Sequence, residues 1–331
     1  MVGDGRQAPQ VQQKKFTRQL MEKHPHLDKI IADALALESP RVAVCYPCSA
    51  SSIEAAISAQ QMGLIQAIMI GPRKRIESIA AKSAMDLTGV EFVETGDDPV
   101  AAAQQSAELS RSGSANVIMK GSLHTDELLG TVVSKEGGLR TSRRMSHVFV
   151  FDLPDQPRLL LMADCVININ PGLIEKRDIV QNAVDVAHAL NIERPYVAIL
   201  SAVEMINPAI PGTIDAAALC KMAERGQITG AVVDGPLGYD IAISLEAAQI
   251  KGINWPHAER PDILIMPNLE AGNMLYKQMV YVAKAECAGI VLGTKVPIVV
   301  TSRADSPKAR VASCALAIIQ ANAMARNKVA D

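Results

Sequence analysis

The stretch Lys295-Val-Pro-Ile-Val-Val-Thr-Ser-Arg-Ala-Asp-Ser-Pro307 changes character in its middle. An apolar run, Val296 to Val300, gives way to Thr301, Ser302, Arg303 and Asp305, and Ser306-Pro307 then restarts a helical pattern. Buried strands hand polar groups to their carboxyl ends in this way, so the stretch reads as strand, loop, helix. Ligands collect beside such ends in open α/β sheets, and here a hydroxyl, a guanidinium and a carboxylate arrive within four residues. The loop is therefore a candidate anion site. The plainer reading is a polar turn in which Ser306 caps a helix and Pro307 opens it.

Working outward, apolar runs alternate with helical patterns. Helix is expected over Phe16 to Leu37, Ile53 to Met62, Arg73 to Lys82 and Pro99 to Ser110, with strands at Arg41 to Tyr46, Ile65 to Ile70, Glu91 to Val93 and Asn116 to Gly121. This order predicts parallel βαβ units with right-handed crossovers. Residues 134–146 form a basic loop with Lys135, Arg140, Arg143 and Arg144; His147 to Leu153 and Leu159 to Met162 then read as paired antiparallel strands around Pro154-Asp-Gln-Pro157. Alternation resumes with helices at Val180 to Leu190, Ile214 to Arg225, Met274 to Ala285 and Pro307 to Ala323. The strands between them are Tyr196 to Leu200, Gly230 to Val233, Ile263 to Met266, Ile290 to Leu292 and Val296 to Val300.

A chain of 331 residues exceeds the size at which one core stops growing, so two domains are expected. Hydrophobic residues make up 49% but aromatics only 3%, which suits helix-covered sheets better than aromatic-rich barrels. A net charge of -2 offers no electrostatic reason to bind nucleic acid or an acidic membrane, leaving small molecules as the expected partners. The six cysteines are scattered through apolar segments, as free thiols in a reducing cytosol are; Cys45-Tyr-Pro-Cys48 leaves open a redox dithiol, although its first cysteine falls in a strand pattern. Met1 to Lys15 is polar and reads as a frayed tail, not as a signal peptide or anchor. A cytoplasmic protein is expected.

Four polar clusters stand at expected strand ends: Lys120 to Thr125, Asp234 to Asp240, Asn268 to Asn273 and Thr301 to Asp305. Their small residues let backbone N–H groups approach a ligand, which suggests one cleft shared by two sheet edges. Neither a phosphate-binding P-loop nor a dinucleotide fingerprint occurs, and no histidines or cysteines stand at metal-ligand spacing, so no metal is expected.

Gly121-Ser-Leu-His-Thr125 with Leu128-Leu129, Pro267-Asn-Leu-Glu-Ala-Gly-Asn-Met-Leu-Tyr-Lys277 and Val296-Pro-Ile-Val-Val-Thr-Ser-Arg303 together resemble the phosphate acetyltransferase and phosphate butyryltransferase family, in order from about Pro40 to Gln320. Gly138-Leu-Arg-Thr-Ser-Arg-Arg-Met-Ser-His147 is closer to the butyryltransferase-like branch. The resemblance implies reversible acyl transfer between coenzyme A and inorganic phosphate, with coenzyme A as substrate and no bound cofactor. It implies a two-domain α/β fold of mainly parallel sheets, similar to isocitrate and isopropylmalate dehydrogenases, with the site in the interdomain cleft. The first domain would be residues 16–146 plus 296–331, the second 147–295, after a tail of residues 1–15. It also implies a homodimer or higher homo-oligomer.

On this reading Arg303 pairs bidentately with phosphate and Ser302 donates to the thioester carbonyl as it becomes an oxyanion. Lys120, Ser122, His124, Thr125, Asn268, Asn273 and Thr301 are candidate binding residues, and Arg140, Arg143 or Arg144 supplies further positive charge. The acetyltransferases carry an aspartate seven residues beyond the serine, where this chain has Ala309, so Asp305 is either the base toward the coenzyme A thiol or a helix cap. They also carry an arginine after the paired leucines, where Gly130 and Thr131 stand here. Two alternatives remain: a noncatalytic acyl-CoA-binding regulatory homologue that lost the base, and a decarboxylating dehydrogenase-like enzyme, which the scarcity of clustered aspartates disfavours.

Overall fold

The computed structural model describes residues 24–255, 257–258, 261–301 and 305–330, the last four in backbone only. Its first half alternates strictly: α1 (Pro25–Leu35), β1 (Arg41–Cys45), α2 (Ala50–Gln61), β2 (Gln66–Ile70), α3 (Arg73–Lys82), β3 (Glu91–Val93), α4 (Pro99–Arg111), β4 (Val117–Lys120) and α5 (Thr125–Val133). An antiparallel pair, β5 (Ser146–Asp152) and β6 (Leu160–Ala163), leads into α6 (Leu173–Ala189), β7 (Tyr196–Leu200), α7 (Pro211–Glu224) and β8 (Val232–Leu237). Two short helices, α8 (Tyr239–Ile243) and α9 (Leu245–Ile250), precede β9 (Ile263–Ile265) and α10 (Leu269–Lys277), which a π turn extends over Gln278–Val282. The chain returns through β10 (Glu286–Leu292) and β11 (Ile298–Val299) to the long α11 (Pro307–Ala330).

All eleven strands join one mixed sheet in the order β3-β2-β1-β4-β11-β10-β5-β6-β9-β7-β8. The strands from β3 to β11 pair in parallel, as do those from β6 to β8. Between the two blocks lie three antiparallel pairings, β11 with β10, β10 with β5, and β5 with β6. Three is odd, so the second block runs opposite to the first. The carboxyl ends of β1, β4 and β11 therefore meet at one edge of the sheet, while those of β6, β8 and β9 point to the other. The shared cleft expected for all four polar clusters divides accordingly: Lys120 to Thr125, Thr301 and Asp305 belong to one edge, Asp234 to Asp240 and Asn268 to Asn273 to the opposite one.

The seam between the blocks is also the core. Along β5, Val148 and Val150 enter one apolar cluster with Ile290, Ile298, Val299 and the inner face of α11, while Phe149 and Phe151 enter a second with Met162, Met266 and Trp255. This alternation follows from the two-residue period of a strand covered on both faces. Elsewhere the expected elements differ at polar positions. Helix α6 begins at Leu173, seven residues before the expected Val180, because its first turns bury charge in pairs: Lys176 reaches Asp215 at 2.8 Å, and Asp178 accepts from Arg144 N at 2.9 Å. Short α8 and α9 were hidden behind the Gly-Pro-Leu-Gly signal that precedes them.

Two buried polar groups tie this core to its helices. The Asp152 carboxylate, at the end of β5, accepts from His26 N and Leu27 N at 2.8 and 2.9 Å and caps α1 from outside, a service His24 at the N-cap does not provide. His147 is 1% exposed, lies against Phe149 with ring centroids 4.2 Å apart, and is held down to a pKa of about 3 by burial. We expect Asp152→Ala to lower the unfolding free energy by about 2 kcal/mol, the upper range for a lost cap, as a shifted urea midpoint at unchanged m. For His147 the unfolded ring, with an ordinary value of 6.5, binds a proton that the native ring refuses, so stability falls as pH drops from 6.5 toward 3. Urea titrations across that window should show a shallower fall in His147→Phe, by up to about 1.4 kcal/mol per pH unit.

Candidate functional site

At the first sheet edge the loops after β1 and β4 are stitched together. Gly121 N donates to Cys45 O at 2.8 Å and Ser122 N to Tyr46 O at 2.7 Å. A methyl group on Gly121 would overlap both carbonyl oxygens, so only glycine lets the strands end this close. Tyr46 itself is left-handed, with φ of 50°, and turns the chain toward α2. Ser49 caps that helix, accepting from Ser52 N at 3.3 Å, and the Ser52 and Ser122 hydroxyls meet at 3.3 Å.

These loops enclose a cavity of about 330 Å³. Hydroxyls of Ser49, Ser51, Ser52, Ser122 and Thr301 line it together with the cations Lys120, Arg75 and Arg310, and none of its described lining residues is a carboxylate. The amino end of α2 adds the positive end of its dipole. Arg75 is oriented from behind by Asp97 at 2.7 Å and the Tyr46 hydroxyl at 2.9 Å; Tyr46 also bonds Asp97, and these bonds hold the Asp97 carboxyl below its usual range. Arg310 reaches the cavity from α11 and is only 9% exposed. Hydroxyl donors and cations converging on one small cavity suit a phosphate-sized anion.

Lys120, Ser122 and Thr301, expected from the sequence, are thus brought together. Ser302 and Arg303 lie outside the described residues, directly after Thr301. His124 and Thr125 open α5 beside the cavity without lining it, and His124 is exposed, its backbone N donating to Glu127 at 2.8 Å. Arg140, Arg143 and Arg144 sit at the opposite edge, next to the amino end of β5, around a separate cavity of about 430 Å³ that Glu175 and Asp178 share. There Arg143 pairs with Asp185, and Arg144 bonds Asn168 at 2.8 Å and Glu175 at 3.5 Å. Asn268 caps α10 through Ala271 N at 3.0 Å, and Asn273 donates to Cys165 O at 3.3 Å.

Beyond Thr301 the same edge carries a carboxylate pair. Ser306 donates to Glu286 at 2.7 Å and caps α11 by accepting from Ala309 N at 3.0 Å, as its sequence position suggested. Asp305 is hydrogen-bonded by the Tyr276 hydroxyl, whose pKa is raised first by burial and then by Cys287 and Asp305. Ala309 is 3% exposed and packs into the core, so nothing at that position titrates. The Cys45 thiol is pushed up to about 12 by burial, and burial also raises Cys48; a redox dithiol, which needs a lowered thiol, is not what this pair forms.

Sequence reading missed Ser49, Ser51, Ser52, Arg75 and Arg310. The serines carried a usable signal, since they follow β1 as Lys120 to Thr125 follow β4. Arg75 and Arg310 sit inside helices; burial sets Arg310 apart from a solvated guanidinium, whereas exposed Arg75 is recognised only by its place at the cavity. Among the described residues no group of His, Cys, Asp or Glu is placed to hold a metal ion, and no helix is long and apolar enough to cross a membrane.

Residues 97–318 match the family model described as phosphate acetyl/butaryl transferase. The phosphate acetyltransferase of Rhizobium meliloti is 52% identical over 295 residues, covering 89% of this chain and 93% of that protein. The phosphate butyryltransferase of Clostridium acetobutylicum is 45% identical over 294 residues, covering 89% and 97%. Among solved structures, a branched-chain phosphotransacylase from Enterococcus faecalis V583 superposes with a TM-score of 0.74 at 30% identity, over 85% of this chain and 99% of that one. A family match that runs through both blocks of the sheet, with relatives this similar along nearly their whole length, establishes that the chain belongs to the phosphate acetyl/butaryl transferase family.

Proposed function

We propose that the protein is a phosphate acyltransferase, moving a short acyl group, acetyl or butyryl, reversibly between coenzyme A and inorganic phosphate. The observation that carries the reading is the 330 Å³ cavity, where Lys120, Arg75, Arg310, five hydroxyls and a helix amino end converge and no carboxylate stands among the described lining residues. In the forward direction a phosphate oxygen attacks the thioester carbonyl, and the carbonyl oxygen takes the displaced electron pair. Collapse of that tetrahedral species breaks the C–S bond and releases coenzyme A thiolate, which takes a proton. In reverse the thiolate attacks acyl phosphate, and phosphate leaves with the C–O electron pair. The cations lower the energy of phosphate as nucleophile-bearing ligand and as leaving group, and hydroxyl donors favour the oxyanion in both directions.

Ser302 and Arg303 are assigned to the carbonyl and the phosphate because they follow Thr301, which lines the cavity. Asp305, bonded to Tyr276, is assigned as the group that takes the thiol proton. The thiol needs modest help, its ordinary pKa being about 8.5. The same reading divides the chain into residues 16–146 with 296–331 and residues 147–295, the acyl-transfer site lying between them. Every lining residue of the cavity comes from the first set, which supports phosphate binding there and an approach of coenzyme A, as substrate, from the side of the second. Exposed Met205, Ile206, Ile250, Met274 and Val282, all in the second set, support a homo-oligomer formed through it. A cytoplasmic location fits the free thiols.

Release of coenzyme A from acetyl-CoA or butyryl-CoA in the presence of phosphate tests the reading directly. Arg303→Ala and Lys120→Ala should each lower kcat/KM by about 100-fold, with most of the Lys120 effect in KM for phosphate. Activity within threefold of the parent in both variants would sink the assignment. Gly121→Ala should lose activity by a comparable factor while circular dichroism still reports a folded protein, because the methyl group forces apart the two loops that form the cavity and leaves the strands behind them paired.

A further inference from the structure

A further cavity, of about 520 Å³, lies between α1, the carboxyl end of α6 and the second half of α11, and shares no lining residue with either cavity described above. Its volume is that of a small-molecule site. Along α11 every residue from Val311 to Gln320 is buried. The one hydroxyl in that run, Ser313, has partners: it accepts from Gly289 N at 3.0 Å and donates to Ala309 O at 2.8 Å. Gln320 has none among the described residues. It is 3% exposed and lines the cavity, and its Oε1 is buried without a hydrogen bond. A buried carboxamide oxygen with no donor is destabilising, and leucine would fill a similar volume without that penalty. What leucine lacks is a means of holding a polar ligand.

Asn191, just after α6, and Asn322 on α11 bring two more carboxamides to the same cavity, and neither side chain is hydrogen-bonded to a described residue. The charges there sort into those already answered and those left over. Asp33 is paired with Lys29 at 2.6 Å, and Asp185 with Arg143, which stands outside the lining. His188, in the last turn of α6, donates from Nε2 to the Gly230 carbonyl at 2.9 Å. What remains has both signs. Helix α6 runs for 17 residues and ends at Ala189, and Ala189, Leu190 and Asn191 line the wall, which brings the negative end of its dipole to the cavity. Arg326 lines it from α11, exposed and paired with no carboxylate among the described residues. A lone anion would meet the wrong end of α6, and a lone cation would meet Arg326. We propose that this cavity binds a small zwitterion of the amino-acid class, its ammonium group at the carboxyl end of α6 and the Gln320 oxygen, its carboxylate at Arg326, with the two asparagine amides completing the contacts. The acyltransferase reading plays no part in this assignment.

The test uses the full chain and the standard L-amino acids as probes, each at about 10 mM in a thermal-shift screen, where a ligand of the native state raises Tm by mass action. At least one of them should raise Tm saturably, and calorimetry should give one site per chain. Acetate and ethylammonium, which carry one charge each, should bind at least tenfold more weakly than that amino acid. Gln320→Leu should fold with a Tm no lower than the parent's, because the amide it removes has no partner to lose, and should weaken the amino acid at least tenfold. Arg326→Gln should weaken it by a similar factor. Absence of binding by every amino acid overturns the proposal, as does a singly charged probe that binds as tightly as the zwitterion, or unchanged affinity in either variant. A Gln320→Leu protein that melts well below the parent, or does not fold, makes the amide a structural group and overturns it as well.

Discussion

Strand β10 is hydrogen-bonded antiparallel on both flanks, to β5 over seven residue pairs and to β11 over two. Reversing direction there, and again at β6, decides which loops meet. It assembles the carboxyl ends of β1, β4 and β11 at one edge, and sends those of the β6 to β8 block to the other. It also makes the returning chain structural as well as functional, since α11, which follows β11, packs its inner face on the strand that reverses the sheet. Residues from the two ends of the chain, Ser49 and Arg310 among them, then line one cavity because the sheet order interleaves them.

The electrostatics of that cavity depend on where counter-charges are kept. Asp97 holds Arg75 but does not line the cavity, and the Tyr46 hydroxyl completes the hold. A guanidinium so fixed offers its remaining N–H groups to an incoming anion without first breaking an ion pair inside the site. Preorganisation of this kind is what distinguishes a binding site from a basic surface, because no reorientation has to accompany the arrival of charge. The opposite cavity shows the contrast: Arg143 and Arg144 have their carboxylates beside them, and its charges are largely spent on one another.

Much of the local structure was legible in the sequence. Arg73 to Lys82, Glu91 to Val93 and Tyr196 to Leu200 are bounded as expected, because apolar period and turn residues agree there. The antiparallel pair around Pro154 to Pro157 was readable from the same signals. Strand direction across the sheet was not, since it is a property of pairing between residues more than a hundred positions apart, such as Phe149 and Gly289. That is why Asn268, Asn273 and the loop arginines were grouped with Thr301 although they lie at the other edge. Charge inside helices carried no usable signal. The expected helix began only at Val180 and so left out Lys176 and Asp178, which are buried, and the helix expected from Pro307 gave no sign that Arg310 reaches the cavity. The resemblance to a known family was carried by segments that run from strand ends into the elements that follow, Gly121 to Leu129 and Pro267 to Lys277 among them.

An acyl phosphate is an acylating reagent, and Cys48 lines the cavity proposed to hold one. A thiolate there would compete with coenzyme A for the acyl group and leave the protein blocked by its own thioester. Burial, which raises Cys48 and drives Cys45 behind it to about 12, keeps both sulfurs protonated at neutral pH and therefore poor nucleophiles. The apolar surroundings of β1 that make this pair useless for redox chemistry thus protect the protein from self-acylation, and leave the substrate's thiol as the competent sulfur within reach of the reacting carbonyl.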